Sequence, residues 1–190
     1  MSRTSRLSPE ESVRSILDAA DDLFYASGVN AVSMVEIRDQ AGVSLRRLYE
    51  LYPSKSDLVL AWLRDRDRSW LAWFGSELDQ RTAAGADVVD AIFDSLADWL
   101  TSTRFRGCAF LNTLSESTDL NDQRHAAIRD HKQAMVDALR SLHPHPEALA
   151  VLVDGAISQC AVFASLEPLA AARSTAQLLS DRSTSQGSRS

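Results

Sequence analysis

Little in this chain breaks or bridges a polypeptide. Seven glycines, five prolines and two cysteines are spread over 190 residues. Cys108 and Cys160 stand far apart and neither belongs to a C-x-x-C pair, which argues against a disulfide framework or a thiolate metal site and for buried thiols in a reducing cytosol. The few glycines and prolines fall mostly where helices would end. With no run of alternating β-branched residues, the chain reads as all-α, with about nine helices. No signal peptide and no apolar run of about eighteen residues are apparent, so no membrane is expected and the location is cytoplasmic. G-x-S-x-G, P-loop and G-x-G-x-x-G patterns are missing, and the carboxylates fall on helix surfaces at charge-pair spacing, so neither an enzyme nor a cofactor is expected. His125 and His131 are six apart, off the spacing that aligns two ligands on a helix, and His143 and His145 sit in a proline-rich turn. No metal site follows, and solvated or capping roles are expected for all four. A formal charge of −6 does not favour phosphate binding by the whole chain, while 45% hydrophobic content suffices for a core.

What is present concentrates in Ser33 to Asp57. Ser33 with Glu36 forms a capping box, so a helix starts at about Met34. Gly42 closes it near Ala41, because glycine most easily takes the left-handed conformation of a helix C-terminus. Ser44 caps again, and a second helix runs from Leu45 to about Tyr52, stopped by Pro53. Two short helices on a glycine turn make a helix-turn-helix candidate. Leu48 and Tyr52 repeat at four residues toward a core, leaving Arg46, Arg47 and Tyr49 on the outer side. Arginine has the fork that reads guanine O6 and N7, and tyrosine hydroxyls bind phosphate. Ser54 caps a third helix whose first turn carries Lys55, a cation beside free amides. From Leu45 to Ser56, Arg46, Arg47 and Lys55 face only Glu50, so the local balance is basic.

The order Ser33, Ile37, Ala41-Gly42-Val43-Ser44, Leu48-Tyr49, Tyr52-Pro53-Ser54-Lys55 and Leu58 resembles the DNA-binding domain of the tetracycline-repressor (TetR) family of transcriptional regulators, over about the first sixty residues. The pattern departs at Arg46 and Arg47, where the family has a small residue and then Thr or Ser, and at Glu50, where many members carry His or Tyr. The resemblance implies a homodimer on double-stranded, near-palindromic operator DNA. Ser33, Ser44, Leu45, Arg46, Arg47, Tyr49, Tyr52 and Lys55 are the DNA-contact candidates. It further implies a C-terminal helical domain that binds a largely apolar small-molecule effector and forms the dimer. The alternatives are a ligand-binding module or a helical dimeric scaffold with a vestigial DNA-binding end.

Along the chain, residues 1–7 form an expected mobile arm with Arg3 and Arg6, and 8–57 the helix-turn-helix domain. Ser8-Pro9-Glu10-Glu11 opens its first helix and Gly28 ends it. Residues 58–180 would form the effector and dimerisation domain, and the Ser-rich 181–190 a disordered tail. From Lys55 a helix runs past Gly75 toward Arg81. Its Arg64-Asp65-Arg66-Asp67-Arg68 stretch reads either as a solvated face or as the midsection of a lever between domains. Trp70, Trp73, Phe74, Phe93, Trp99, Phe110, Met135 and Phe163 either fill a core or, as the resemblance suggests, enclose a ligand with Asn112, Ser115 or Glu116 as polar contacts. The last two helices, about Pro146 to Ser165 and Glu167 to Ser180, carry surplus apolar and small residues. Leu149, Leu152, Val153, Ala156, Ile157, Leu169 and Leu178 would either finish the monomer core or, as in the resembled family, build a four-helix dimer interface.

Overall fold

The computed structural model describes residues 7–102, 105–117 and 123–187. Arg3 and Arg6 of the expected arm lie outside them. Among the described residues there are nine helices and no strand: α1 (Pro9–Ser27), α2 (Met34–Ala41), α3 (Leu45–Leu51), α4 (Lys55–Ala83), α5 (Val88–Ser102), α6 (Ala109–Ser115), α7 (Gln123–Arg140), α8 (Pro146–Phe163) and α9 (Glu167–Gly187). The chain forms two compact units. One comprises the chain up to Asp67 together with Ala109–Ile128, and the other Arg68–Cys108 with the chain from Arg129 onward. Two of the three divisions fall inside helices, α4 and α7, and the third comes just before α6.

In the first unit the N-terminus of α1 is closed by Ser8 and Glu11. The Ser8 hydroxyl accepts the Glu11 N–H at 3.1 Å and the Glu11 carboxylate accepts the Ser8 N–H at 2.7 Å. The apolar stripe of α1 buries Ile16, Leu17, Ala20 and Phe24 against α2 and the start of α4. Full burial of one such side chain contributes roughly 1.5–3 kcal/mol. Phe24 meets Trp62 edge to face, 5.2 Å between centroids, and the Trp62 indole N–H donates to Asp21 at 2.7 Å. The alternating charges of α4 are partly drawn into this packing. Arg14 pairs with Asp65 at 3.0 Å, while Arg66 pairs with Asp21 and lies 4.5 Å over the Tyr25 ring. Of the two readings of that stretch, a purely solvated face does not hold for Asp65 and Arg66. The sequence of α1 had to be read together with α4 to see it.

The second unit is centred on Phe74, Phe93, Ile92, Leu96, Met135, Leu139, Leu149 and Val153, all almost fully buried. Helix α9 packs on α8 and α5. Arg173 on α9 pairs with Asp94, and Gln177 donates to Asp90 at 3.0 Å, so polar contacts border the apolar ones. Cys108 and Cys160 are buried free thiols, as expected.

Three expectations need correction. Solvated histidines hold for His145 alone, since His125, His131 and His143 are each less than 7% exposed. His143 does act as a local cap: its Nδ1 accepts the His145 N–H at 3.0 Å, so its Nε2 carries the proton toward Ser180 Oγ and the Ala176 carbonyl. The disordered tail does not begin at 181, because α9 continues to Gly187; nothing between Pro168 and Gly187 breaks a helix. Finally, α8 spans 18 residues at mean hydropathy 1.3, long and apolar enough by length and composition to cross a membrane. Only Glu147 and Asp154 interrupt it, which hid the run. Its Leu149, Val153, Ala156, Ile157 and Cys160 form the buried face of a helix that packs on α9.

Candidate nucleic-acid interface

The helix-turn-helix is set by three successive caps. Ser33 Oγ accepts the Glu36 N–H at 3.2 Å while Glu36 Oε2 accepts the Ser33 N–H at 2.7 Å. Gly42 takes φ 67° and ψ 25°, the left-handed geometry that ends α2 and turns the chain. Ser44 Oγ then accepts the Arg47 N–H at 3.1 Å and starts α3. Leu48, with no exposed surface, anchors α3, and its outer side presents Leu45, Arg46, Tyr49 and Glu50 to solvent. Pro53 follows Tyr52, and Ser54 with Asp57 closes the N-terminus of α4 by hydrogen bonds at 2.9 and 3.1 Å.

The charges on this face are not independent. Arg46, whose side chain is 89% exposed, donates through Nε to Glu50 at 2.8 Å, and Arg47 lies 3.7 Å from the other Glu50 oxygen. The Arg46 hydrogen bond holds the Glu50 carboxyl below the usual glutamate range. Lys55 is half-buried and donates to the Asn30 carbonyl at 3.2 Å. Burial lowers its pKa, opposed by the charges of Glu116 and Glu36.

Leu45, Arg46, Tyr49 and, more recessed, Arg47 thus share one exposed side of α3, with Ser44 at its start. Ser44 accepts one N–H and keeps its own proton to donate. Two expected DNA contacts change. Tyr52 is 9% exposed and belongs to the core, and burial raises its pKa. Ser33 is exposed, but its hydroxyl also donates to Glu36 at 2.7 Å, so both of its roles are taken by the cap. Glu50 was missed as a partner, although its i, i+4 spacing from Arg46 was a usable signal.

The expected ligand residues separate. Trp70, Trp73 and Trp99 are half-buried and mutually close: Trp70 lies 6.3 Å from each of the other two, and Trp73 lies 6.4 Å from Trp99. Phe74 stacks on Trp70 at 4.8 Å, and the His131 ring meets Trp70 edge-on at 5.7 Å. Phe74, Phe93 and Met135 are core residues. Phe110 is buried and Asn112 exposed in the first unit, and Phe163 is 65% exposed at the end of α8. Glu116 is bonded to the turn after α1.

Of the expected interface residues, Leu149, Val153, Ala156 and Ile157 of α8 and Leu169 of α9 are buried within the protomer, where the two helices pack on each other, and Leu152 is partly buried. Leu178 is exposed, and so are Val151, Val162, Phe163 and Leu166, which the sequence reading did not assign to an interface.

Residues 16–62 match the family model for bacterial regulatory proteins, tetR family. The HTH-type transcriptional activator FasR of Mycolicibacterium smegmatis is 42% identical over 62 residues, 33% of this chain and 28% of FasR, so the match spans well under a third of that relative. Among solved structures, SCO4454, a TetR-family transcriptional regulator from Streptomyces coelicolor, is 28% identical over 88% of this chain and 96% of its own, with a TM-score of 0.72. The multidrug binding protein EbrR, solved in complex with malachite green, shares the fold at 19% identity over 88% and 96% of the two chains, with a TM-score of 0.69.

Proposed function

Because the chain belongs to the tetR family of bacterial transcriptional regulators, we propose that it is a ligand-responsive regulator that binds a near-palindromic operator as a homodimer in the cytoplasm. The observation that carries this reading is the outer side of α3, where Arg46 and Tyr49 stand exposed on a helix capped at Ser44 and anchored by Leu48. Each α3 enters a major groove with Arg46 and Arg47 toward base edges or phosphate, and two such helices must lie about 34–36 Å apart, one turn of DNA, or a multiple of it. Ser44, Tyr49 and Lys55 hold phosphates, Lys55 beside the free amides of the first turn of α4. The effector is an aromatic or largely apolar molecule received by Trp70, Trp73 and Trp99. It acts on DNA binding through α4, which carries Lys55 together with Trp70 and Trp73. A differential affinity of roughly 1–3 kcal/mol between two states changes operator affinity five- to 150-fold. Release from an operator that overlaps a promoter gives repression; an upstream operator gives the activation named for FasR.

Selection of bound sequences from a random duplex pool at two salt concentrations tests the reading. An inverted repeat with half-sites one turn apart is expected. Recovery of no sequence, or of salt-sensitive binding without preference, sinks it in favour of a ligand-binding or scaffold role.

A further inference from the structure

The turn between α1 and α2 does not hold itself together. Val29 and Asn30 have no helix to receive their N–H groups, and both donate to one carboxylate that arrives from 86 to 87 residues later. Glu116 Oε1 accepts the Val29 N–H at 3.1 Å and Oε2 accepts the Asn30 N–H at 2.6 Å, while the Asn30 side-chain amide donates to the Glu116 carbonyl at 3.2 Å. The carbonyl of the same Asn30 receives the Lys55 ammonium. Gly28, which precedes this turn, has φ 85°, and a Cβ there would stand 2.8 Å from Glu116 Oε1. The backbone angle favours glycine, and a side chain there would also push the carboxylate from its place.

A carboxylate is suited to this position because it is acceptor-only on both oxygens, and two consecutive N–H groups need two acceptors. An amide of the same shape would turn an NH2 toward one of those N–H groups. Once the turn is held, the Asn30 carbonyl has a fixed direction and so does the ammonium it receives. Lys55 has three protons, so two remain to reach outward from the N-terminus of α4.

We propose that Glu116 is a positioning residue for DNA binding: it holds the turn after α1 so that the Asn30 carbonyl orients the Lys55 ammonium before DNA arrives. This rests on the reading of Lys55 as a phosphate contact. The stretch after α6 thereby becomes a part of the DNA-facing module that the family-model match at residues 16–62 does not include.

The chain has two lysines, Lys55 and Lys132, and Lys132 pairs with Asp154 in the other unit. Competitive acylation of the full chain, read by mass spectrometry, thus measures Lys55 against an internal standard. Glu116→Gln should raise the Lys55 to Lys132 labelling ratio several-fold, and an unchanged ratio overturns the proposal. In parallel, duplex binding is measured for wild type, Glu116→Gln, Lys55→Ala and the double variant. Glu116→Gln should weaken binding about five- to tenfold without altering the preferred sequence, and the loss should fall below about twofold in the Lys55→Ala background, since residues acting through one contact are not additive. Equal losses in both backgrounds mean that Glu116 supports the fold only and overturn the proposal while the regulator reading stands. A raised labelling ratio in a chain that binds no duplex sinks the regulator reading, and the positioning role with it.

Discussion

Arg46 meets solvent over most of its side chain and is still not idle, because Glu50 one turn later holds its guanidinium at 2.8 Å. To read guanine, Arg46 must exchange that carboxylate for O6 and N7, and a nearby anion also opposes phosphate. Arg46→Ala should cost about 1–3 kcal/mol of operator affinity and relax preference at one base pair if the side chain reads a base. Repeating the duplex selection with the variant checks this, and an unchanged preference reduces Arg46 to a backbone or solvent contact. Glu50→Gln should raise affinity for all duplexes alike and steepen the salt dependence, since it removes an anion from the phosphate-facing side. A titration series in salt that runs parallel to wild type contradicts it. At this scale the outer side of α3 was legible from the four-residue repeat of Leu48 and Tyr52. The same repeat placed Tyr52 inside, against its use as a DNA contact. Among the aromatics, spacing could not separate Phe74 and Phe93 from Trp70 and Trp99. All four sit on apolar faces, and the difference in their exposure depends on which other helices cover them.

Helix starts were the most legible elements, because a cap is a short-range device whose partners lie three residues apart. Ser8 with Glu11, Ser33 with Glu36, and Ser44 before α3 are all found as expected. Helix ends without a glycine or proline were less so, which is why α9 outruns Ser180. The α2 cap also gives a pH signature. Hydrogen bonds from Ser33 hold the Glu36 carboxyl below the usual glutamate range. A carboxyl with a depressed folded-state pKa stabilises fully above its unfolded value, about 4.3, and the contribution is lost as pH falls through the lower folded value. Ser33→Ala, which removes the cap, should cost about 1 kcal/mol at neutral pH. The gap between variant and wild type should narrow below about pH 4. Urea unfolding at pH 7 and pH 3 checks this, and a gap of constant size would show that the carboxylate is not part of the cap's effect.

On the scale of the whole molecule, α8 combines two sides with different work. Leu149 and Val153 are inside the protomer, whereas Val151, Val162 and Phe163 are 65–77% exposed, with Leu166 and Leu178 adding to the apolar surface. In the proposed homodimer these side chains are the candidate association surface. Val162→Asp with Phe163→Asp should give a folded monomer that no longer binds the full operator. Leu149→Ala should instead lower stability by about 2–5 kcal/mol and leave the association state of the folded fraction unchanged. Sedimentation and thermal unfolding of both variants distinguish the cases; a Val162/Phe163 variant that remains dimeric moves the interface elsewhere. The composition showed that α8 has more apolar surface than one side can use, but not which side a protomer keeps. Nor could it show that Ala109–Ile128 joins the first unit, since that depends on contacts such as Glu116 with Val29, 87 residues apart.

The placement of the four tryptophans makes the chain its own two-channel optical probe. Trp62 sits alone in the first unit with its indole N–H on Asp21. Trp70, Trp73 and Trp99 lie close enough for light absorbed by one to migrate to another before emission. A quencher docking on any of the three should darken all of them together. In Trp62→Phe, fluorescence should therefore report effector binding alone. Subtracting that signal from wild type should isolate the response of Trp62 in the same titration.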